Sequence, residues 1–167
     1  YNPLNLPPYT IRIRCKEGQG VIVNSAKAVQ ISQNPNIWDV TRERSSWDKL
    51  LEGNREILEV LGANTRGVDM MYSLFYDCTA MTTVPLFDTR SITSMQGMFC
   101  GCYSLSSVPL FDTHNVVSMY RTFEHCYSLS SIPLLDTSNV DGMYSTFEGC
   151  SSLTSIPLFD THKVRTM

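Results

Sequence analysis

Six cysteines and three histidines are the side chains of this chain best suited to nucleophilic or metal chemistry. Cys78, Cys102, Cys126 and Cys150 stand 24 residues apart, so they occupy one position of a repeat. Stacked rung on rung at about 4.8 Å, their Cβ vectors run parallel, which suits disulfide torsions poorly. The expected role is a small apolar filler of the interior. Cys15 and Cys100 lie outside this ladder, and Cys100-Gly101-Cys102 has no second pair at zinc-site spacing. His114 and His162 share a register two rungs apart, about 10 Å by rung spacing, too far to hold one metal. Neither they nor His125 has a recurring serine or cysteine in the arrangement of a nucleophile and its base. No glycine-rich phosphate loop appears. The residues therefore imply no catalysis, no metal and no cofactor.

The elements that position these residues are set by the 24-residue period. Val84-Pro85-Leu86-Phe87-Asp88-Thr89 returns at 108–113, 132–137 and 156–161. A period in the range of about 20–50 residues indicates a stacked array, whose usual work is binding. Apolar ladders recur in register: Val68, Ile92, Val116, Val140 and Val164; Met71, Met95, Met119, Met143 and Met167; Phe75, Phe99, Phe123 and Phe147. Met81, Leu105, Leu129 and Leu153 follow, then Val84, Val108, Ile132 and Ile156, then Leu86, Leu110, Leu134 and Leu158. All are expected to face inward. Steps of three and four from Val116 through Met119 and Phe123 to Cys126 predict a short helix or 3₁₀ turn. The L-x-x-I-x-L pattern of Leu129–Leu134 predicts a short strand, shortened further by the proline inside it.

The fold class expected is an α/β solenoid, with one short strand and one short helix per rung. The Asp-Thr pair after each strand is expected to cap the following helix. Phe87, Phe111, Leu135 and Phe159 run out of phase with the inward leucines, and packing against the next turn is expected to cover them.

Residues 1–56 escape the period and predict a small β-rich cap or attachment domain, with the repeats occupying 57–167. Tyr9–Cys15 alternates strictly, as a half-buried strand does. Val21–Val23 is the expected returning strand, and 28–31 and 37–40 two more. Ser45-Ser46-Trp47-Asp48 predicts a capping box opening a short helix that Gly53 closes. Pro3, Pro7 and Pro8 predict a rigid, extended start. Ile57 through Thr65 imitates the end of a repeat, a degenerate first rung.

The net charge is −3 and no Lys/Arg run exists, so a nucleic-acid footprint is missing. No apolar run approaches the roughly 20 residues of a membrane helix. No signal peptide is evident, but the chain opens on Tyr1 and stops at Met167 in mid-repeat, and so reads as a piece of a longer protein.

The best copy, Ile92…Met95…Met98-Phe99…Cys102…Ser104-Leu105…Val108-Pro-Leu-Phe-Asp-Thr113, resembles the BspA-like leucine-rich repeats of bacterial surface proteins. The resemblance covers about residues 57–167. Thr122 and Thr146 replace Met98 in two copies, which predicts a less buried position there. The opening residues, with Leu58–Thr65, resemble repeat proteins of gut bacteria and their tailed phages. The resemblance implies a right-handed leucine-rich-repeat-like stack, an extracellular, cell-surface or virion location, and adhesion to a cell-surface protein or glycan.

Positions that vary between rungs name the expected binding residues: Tyr103, Tyr127, Tyr120, Tyr144, His114, Arg121, Arg90 and His162. Tyrosine offers large contact at low entropic cost, as in antibody paratopes. The competing expectation is structural: the stack acts as a spacer and residues 1–56 dock it into a virion or envelope assembly.

Overall fold

A computed structural model describes residues 4–167; Pro3, at the expected rigid start, lies outside the described residues. Four strands, β1 (Thr10–Cys15), β2 (Lys27–Gln33), β3 (Asn36–Thr41) and β4 (Ile57–Asn64), form one antiparallel sheet in the order β2-β3-β1-β4. Alternation in β1 buries Ile11, Ile13 and Cys15. The opposite face carries cross-strand ion pairs, Arg12 to Asp39 at 2.7 and 2.8 Å and Arg14 to Glu59 at 2.6 Å. Val21–Val23 is not the returning strand. Asn54 holds it as a loop, accepting from the Ile22 N–H at 2.7 Å and donating to the Ile22 carbonyl at 2.6 Å. Ser45–Gly53 forms turns rather than a helix.

The expected α/β class is overturned: among the described residues there is no helix, and the only sheet is this antiparallel one. The reason lies in the backbone. Each rung holds two residues at positive φ, four apart. The first set is Lys49 (56°), Ser73 (51°), Gly97 (61°), Arg121 (54°) and Ser145 (53°). The second is Gly53 (76°), Asp77 (57°), Gly101 (74°), His125 (59°) and Gly149 (73°). A right-handed helix cannot pass through left-handed residues at that density. The steps of three come instead from successive turns, such as Leu74 N–H to Met71 at 3.2 Å and Cys78 N–H to Phe75 at 3.0 Å. Alternate N–H groups leave the rung altogether. Phe75, Phe99 and Phe123 donate to the carbonyls of Met98, Thr122 and Thr146 in the next rung at 2.9–3.0 Å.

The expected strand per rung is also missing. Among the described residues, ladder pairing between rungs is confined to isolated parallel bridges, such as Ser94 to Ser118, Ser118 to Gly142 and Gly142 to Thr166. The Asp-Thr pair caps no helix. Each aspartate accepts from the N–H two residues on, as His114 to Asp112 at 3.3 Å. Each threonine hydroxyl donates to the aspartate carbonyl of the next rung, at 2.6–2.9 Å for Thr65, Thr89, Thr113 and Thr137.

The period reaches back into the N-terminal part. Trp47 N–H donates to Met70, and Leu51 N–H to Leu74 (2.8 and 3.1 Å). Strand β4 pairs with β1 on one side and bridges Thr83 through Glu59 on the other. One hydrophobic core therefore runs from Ile11 to Phe159.

The leucine ladder faces the wrong way for the expectation. Leu86, Leu110, Leu134 and Leu158 are exposed, while Phe87, Phe111, Leu135 and Phe159 are buried. The cause is a three-residue turn. The N–H of Phe111, Leu135 and Phe159 donates to the proline carbonyl two residues back at 2.8–2.9 Å, with the leucine at its apex. Thr122 and Thr146 are buried, not more exposed than Met98, because each hydroxyl reaches two backbone carbonyls: Met95 and Met119 for Thr122, Met119 and Met143 for Thr146 (2.7–3.0 Å). In the last copy Ile156 and Met167, expected inside, are exposed because no further rung packs over them here, whereas their counterparts Ile132 and Met143 are buried.

Candidate recognition surface

The ladder cysteines are free thiols turned inward. Cys78, Cys102, Cys126 and Cys150 each donate to a carbonyl of the preceding rung at 3.0–3.2 Å. Burial pushes all four thiols up, Cys150 to about 11 and the others further, which keeps them protonated and poor nucleophiles.

Two of the left-handed residues, Arg121 and His125, stand within one cluster of side chains. Tyr120 and Tyr144 stack with centroids 5.4 Å apart. The Arg121 guanidinium lies 5.9 Å from the Tyr120 ring centre. Arg121 also clasps Glu124, with its second nitrogen 3.0 Å from Oε1. His125 Nε2 is 3.9 Å from Glu124, and the His125 ring is 5.7 Å from that of Tyr127. Tyr127 in turn lies 5.0 Å from Tyr103. Contact therefore passes unbroken through seven side chains on three rungs.

Glu124 is the buried member. The Arg121 hydrogen bond holds its carboxyl below the usual range against the cost of burial, and Cys100 adds a thiol donor at 3.3 Å. Burial, then Glu124, pushes the Cys100 thiol up to about 12. His125 Nδ1 is buried without a hydrogen-bond partner. Gly149, one rung on, leaves it room: a Cβ there would come within 2.5 Å of that nitrogen. Such a surface presents tyrosine rings, a guanidinium and an imidazole around one ionised carboxylate. It can hold a ligand by ring contact and hydrogen bonding.

Of the eight residues the sequence singles out, Tyr103, Tyr127, Tyr120, Tyr144 and Arg121 come together here. Arg90, His114 and His162 do not join them. They line the edge built by the Asp-Thr turns, each engaged with the aspartate two residues before it: Arg90 with Asp88 at 2.7 and 2.9 Å, His114 with Asp112 at 2.5 Å, His162 with Asp160 at 2.6 Å. Glu124 and His125, which complete this cluster, are not among the residues the sequence singles out. The available signal was a charged residue in the register of Tyr76 and Cys100, three after the one arginine of its ladder.

Residues 68–167 match a family model described as "Mycoplasma protein of unknown function, DUF285". No curated protein and no solved structure matches the chain.

Proposed function

The chain belongs to the DUF285 family of Mycoplasma proteins of unknown function, and from that premise, which brings no activity with it, we propose that the protein is a non-enzymatic recognition module displayed on a cell or virion surface. It binds a surface protein or glycan through Tyr103, Tyr127, His125, Arg121, Tyr120 and Tyr144, with the buried Glu124 holding Arg121 in place. The observation that carries this reading is the unbroken run of contacts between these side chains across three rungs. Stacked tyrosines are pre-ordered by their neighbours, so less side-chain entropy is lost on binding. The resemblance to BspA-like repeats of bacterial surface proteins supports the same class of function.

The test is retention of labelled protein on bacterial cells and their extracted glycans, beside a variant with Tyr103, Tyr120, Tyr127 and Tyr144 all changed to Ala. Circular dichroism verifies that the variant is folded. Retention that the variant loses supports the reading. Equal retention of both proteins refutes it and moves the contact to the structural alternative, in which residues 1–56 make the attachment.

A further inference from the structure

A second surface lies elsewhere on each rung, ten residues before the stacked tyrosines in the case of Leu110 and Tyr120. Its leucine ladder is 45% exposed at Leu86, 61% at Leu110, 62% at Leu134 and 96% at Leu158. Four leucines in register, about 4.8 Å apart, form a continuous apolar stripe rather than scattered exposed residues. The three-residue turns at Leu110, Leu134 and Leu158 hold it outward.

Two residues past each leucine stands an aspartate. Leu86, Asp88, Leu110 and Asp112 line one shallow hollow of about 190 Å³ together with Arg90, so apolar and acidic ladders share a surface. Arg90 compensates Asp88 in the first rung, and His114 and His162 hydrogen-bond Asp112 and Asp160. Asp136 has the Ser138 hydroxyl and N–H, at 2.6 and 3.0 Å, and no basic side chain bonded to it. With Arg90 and Lys163 set against four aspartates, the row keeps an excess of negative charge. This charge pattern decides what fits. A second copy would set acidic row against acidic row, and an anionic lipid surface would be repelled. A basic amphipathic helix satisfies both rows: its apolar residues, about 5–6 Å apart at three- and four-residue spacing, match the rung step, and its lysines reach the carboxylates over apolar stems.

We propose that the paired leucine and aspartate ladders dock a basic amphipathic helix of a partner protein. The experiment uses the whole chain and a fluorescent 18-residue peptide with a leucine face and a lysine face, read by anisotropy. Two control peptides replace its lysines with glutamate, or its leucines with serine. Leu110→Ser with Leu134→Ser removes the apolar row. Asp112→Asn with Asp136→Asn removes charge and keeps the oxygen each turn needs. The Leu/Lys peptide is expected to bind, with a loss of at least about tenfold for either control peptide and either double variant. Added salt weakens wild-type binding and shrinks the effect of the aspartate pair. The leucines are exposed, so an unchanged melting temperature shows that the fold is intact. Equal binding by the glutamate peptide, or by the double leucine variant, overturns the proposal. So does sedimentation showing a dimer of the chain that the leucine changes dissociate.

Discussion

Neighbouring residues Leu110 and Phe111 give the sharpest test of how the repeat folds, because strand alternation and the observed structure assign them opposite faces. Phe111 is buried, ring to ring with Phe87 at 5.1 Å and Phe99 at 6.2 Å. A phenylalanine buries about 150–250 Å². At about 25 cal/mol per Å² that is roughly 4–6 kcal/mol of transfer, in line with the roughly 3–5 kcal/mol typical of Phe→Ala in a core. Leu110 projects into solvent, and its replacement by alanine should stay within about 0.5 kcal/mol. In a chain of this size each kcal/mol moves the melting temperature by about 2–4 °C, so Phe111→Ala should lower it by roughly 6–20 °C and Leu110→Ala by about 2 °C at most. Thermal unfolding followed by circular dichroism reads the whole chain, and fluorescence of Trp38 and the buried Trp47 reads its N-terminal part. A Leu110→Ala loss as large as that of Phe111→Ala would refute the inward turn of the phenylalanine.

Other predictions follow from local geometry. Asp88 should titrate at about 2, against 3.8 ordinarily, because Arg90 hydrogen-bonds its carboxylate. A depressed folded-state value contributes stability above about pH 4 that is lost as pH falls through about 2. Arg90→Ala should move the Asp88 midpoint, measured by NMR, upward toward 3.8; an unmoved midpoint would exclude the pairing. With Cys150 pushed up to about 11 and half-buried, and Cys78, Cys102 and Cys126 buried and higher still, iodoacetamide at pH 7.5 should modify the last three only after unfolding, as mass spectrometry of peptides would reveal. Gly101→Ala should cost about 1–3 kcal/mol in urea denaturation, since Gly101 sits at φ 74° and its Cβ would fall 2.2 Å from Asp77 Oδ1. Gly142→Ala, with 3.7 Å of clearance and a serine, Ser118, in the same register, should be close to neutral.

The ladders most legible in the sequence were those whose side chains do one thing in every rung. Met71, Met95 and Met119, and Phe75, Phe99 and Phe123, are buried in each of these rungs, as their apolar recurrence predicts, although the equally periodic Leu86, Leu110 and Leu134 are not. Strand β1 was legible from its own recurrence, a period of two sustained over six residues. The backbone between those points was not. Consecutive turns and a helical turn both put apolar residues three or four apart, and only dihedral signs separate them. Those signs fall on Ser73, Arg121, Asp77 and His125 as well as on glycines, so residue type did not announce them. Leu110 and Phe111 exchanged faces because alternation assumes unbroken extended backbone, and the bond from Phe111 to Pro109 breaks it. Thr122 and Thr146 are polar by composition and buried by partnership, which depends on carbonyls supplied by residues 27 positions earlier as well as by the local turn. The candidate surface was half legible: equivalent tyrosines stack because their registers match, whereas the Arg121, Glu124 and His125 contacts depend on the left-handed turns that carry them.

The bonds between rungs also make the stack a mechanical object. Donors such as Arg121, Phe123 and His125 point to the next rung, at Tyr144, Thr146 and Glu148, rather than around their own. Tension along the stack would load one rung boundary after another, a tear rather than a shear. Each rung that peeled away would free 24 residues, about 80 Å of extended chain. Pulled from its ends in an optical trap, the protein should lengthen in near-equal steps of that size, one for each copy of the repeat.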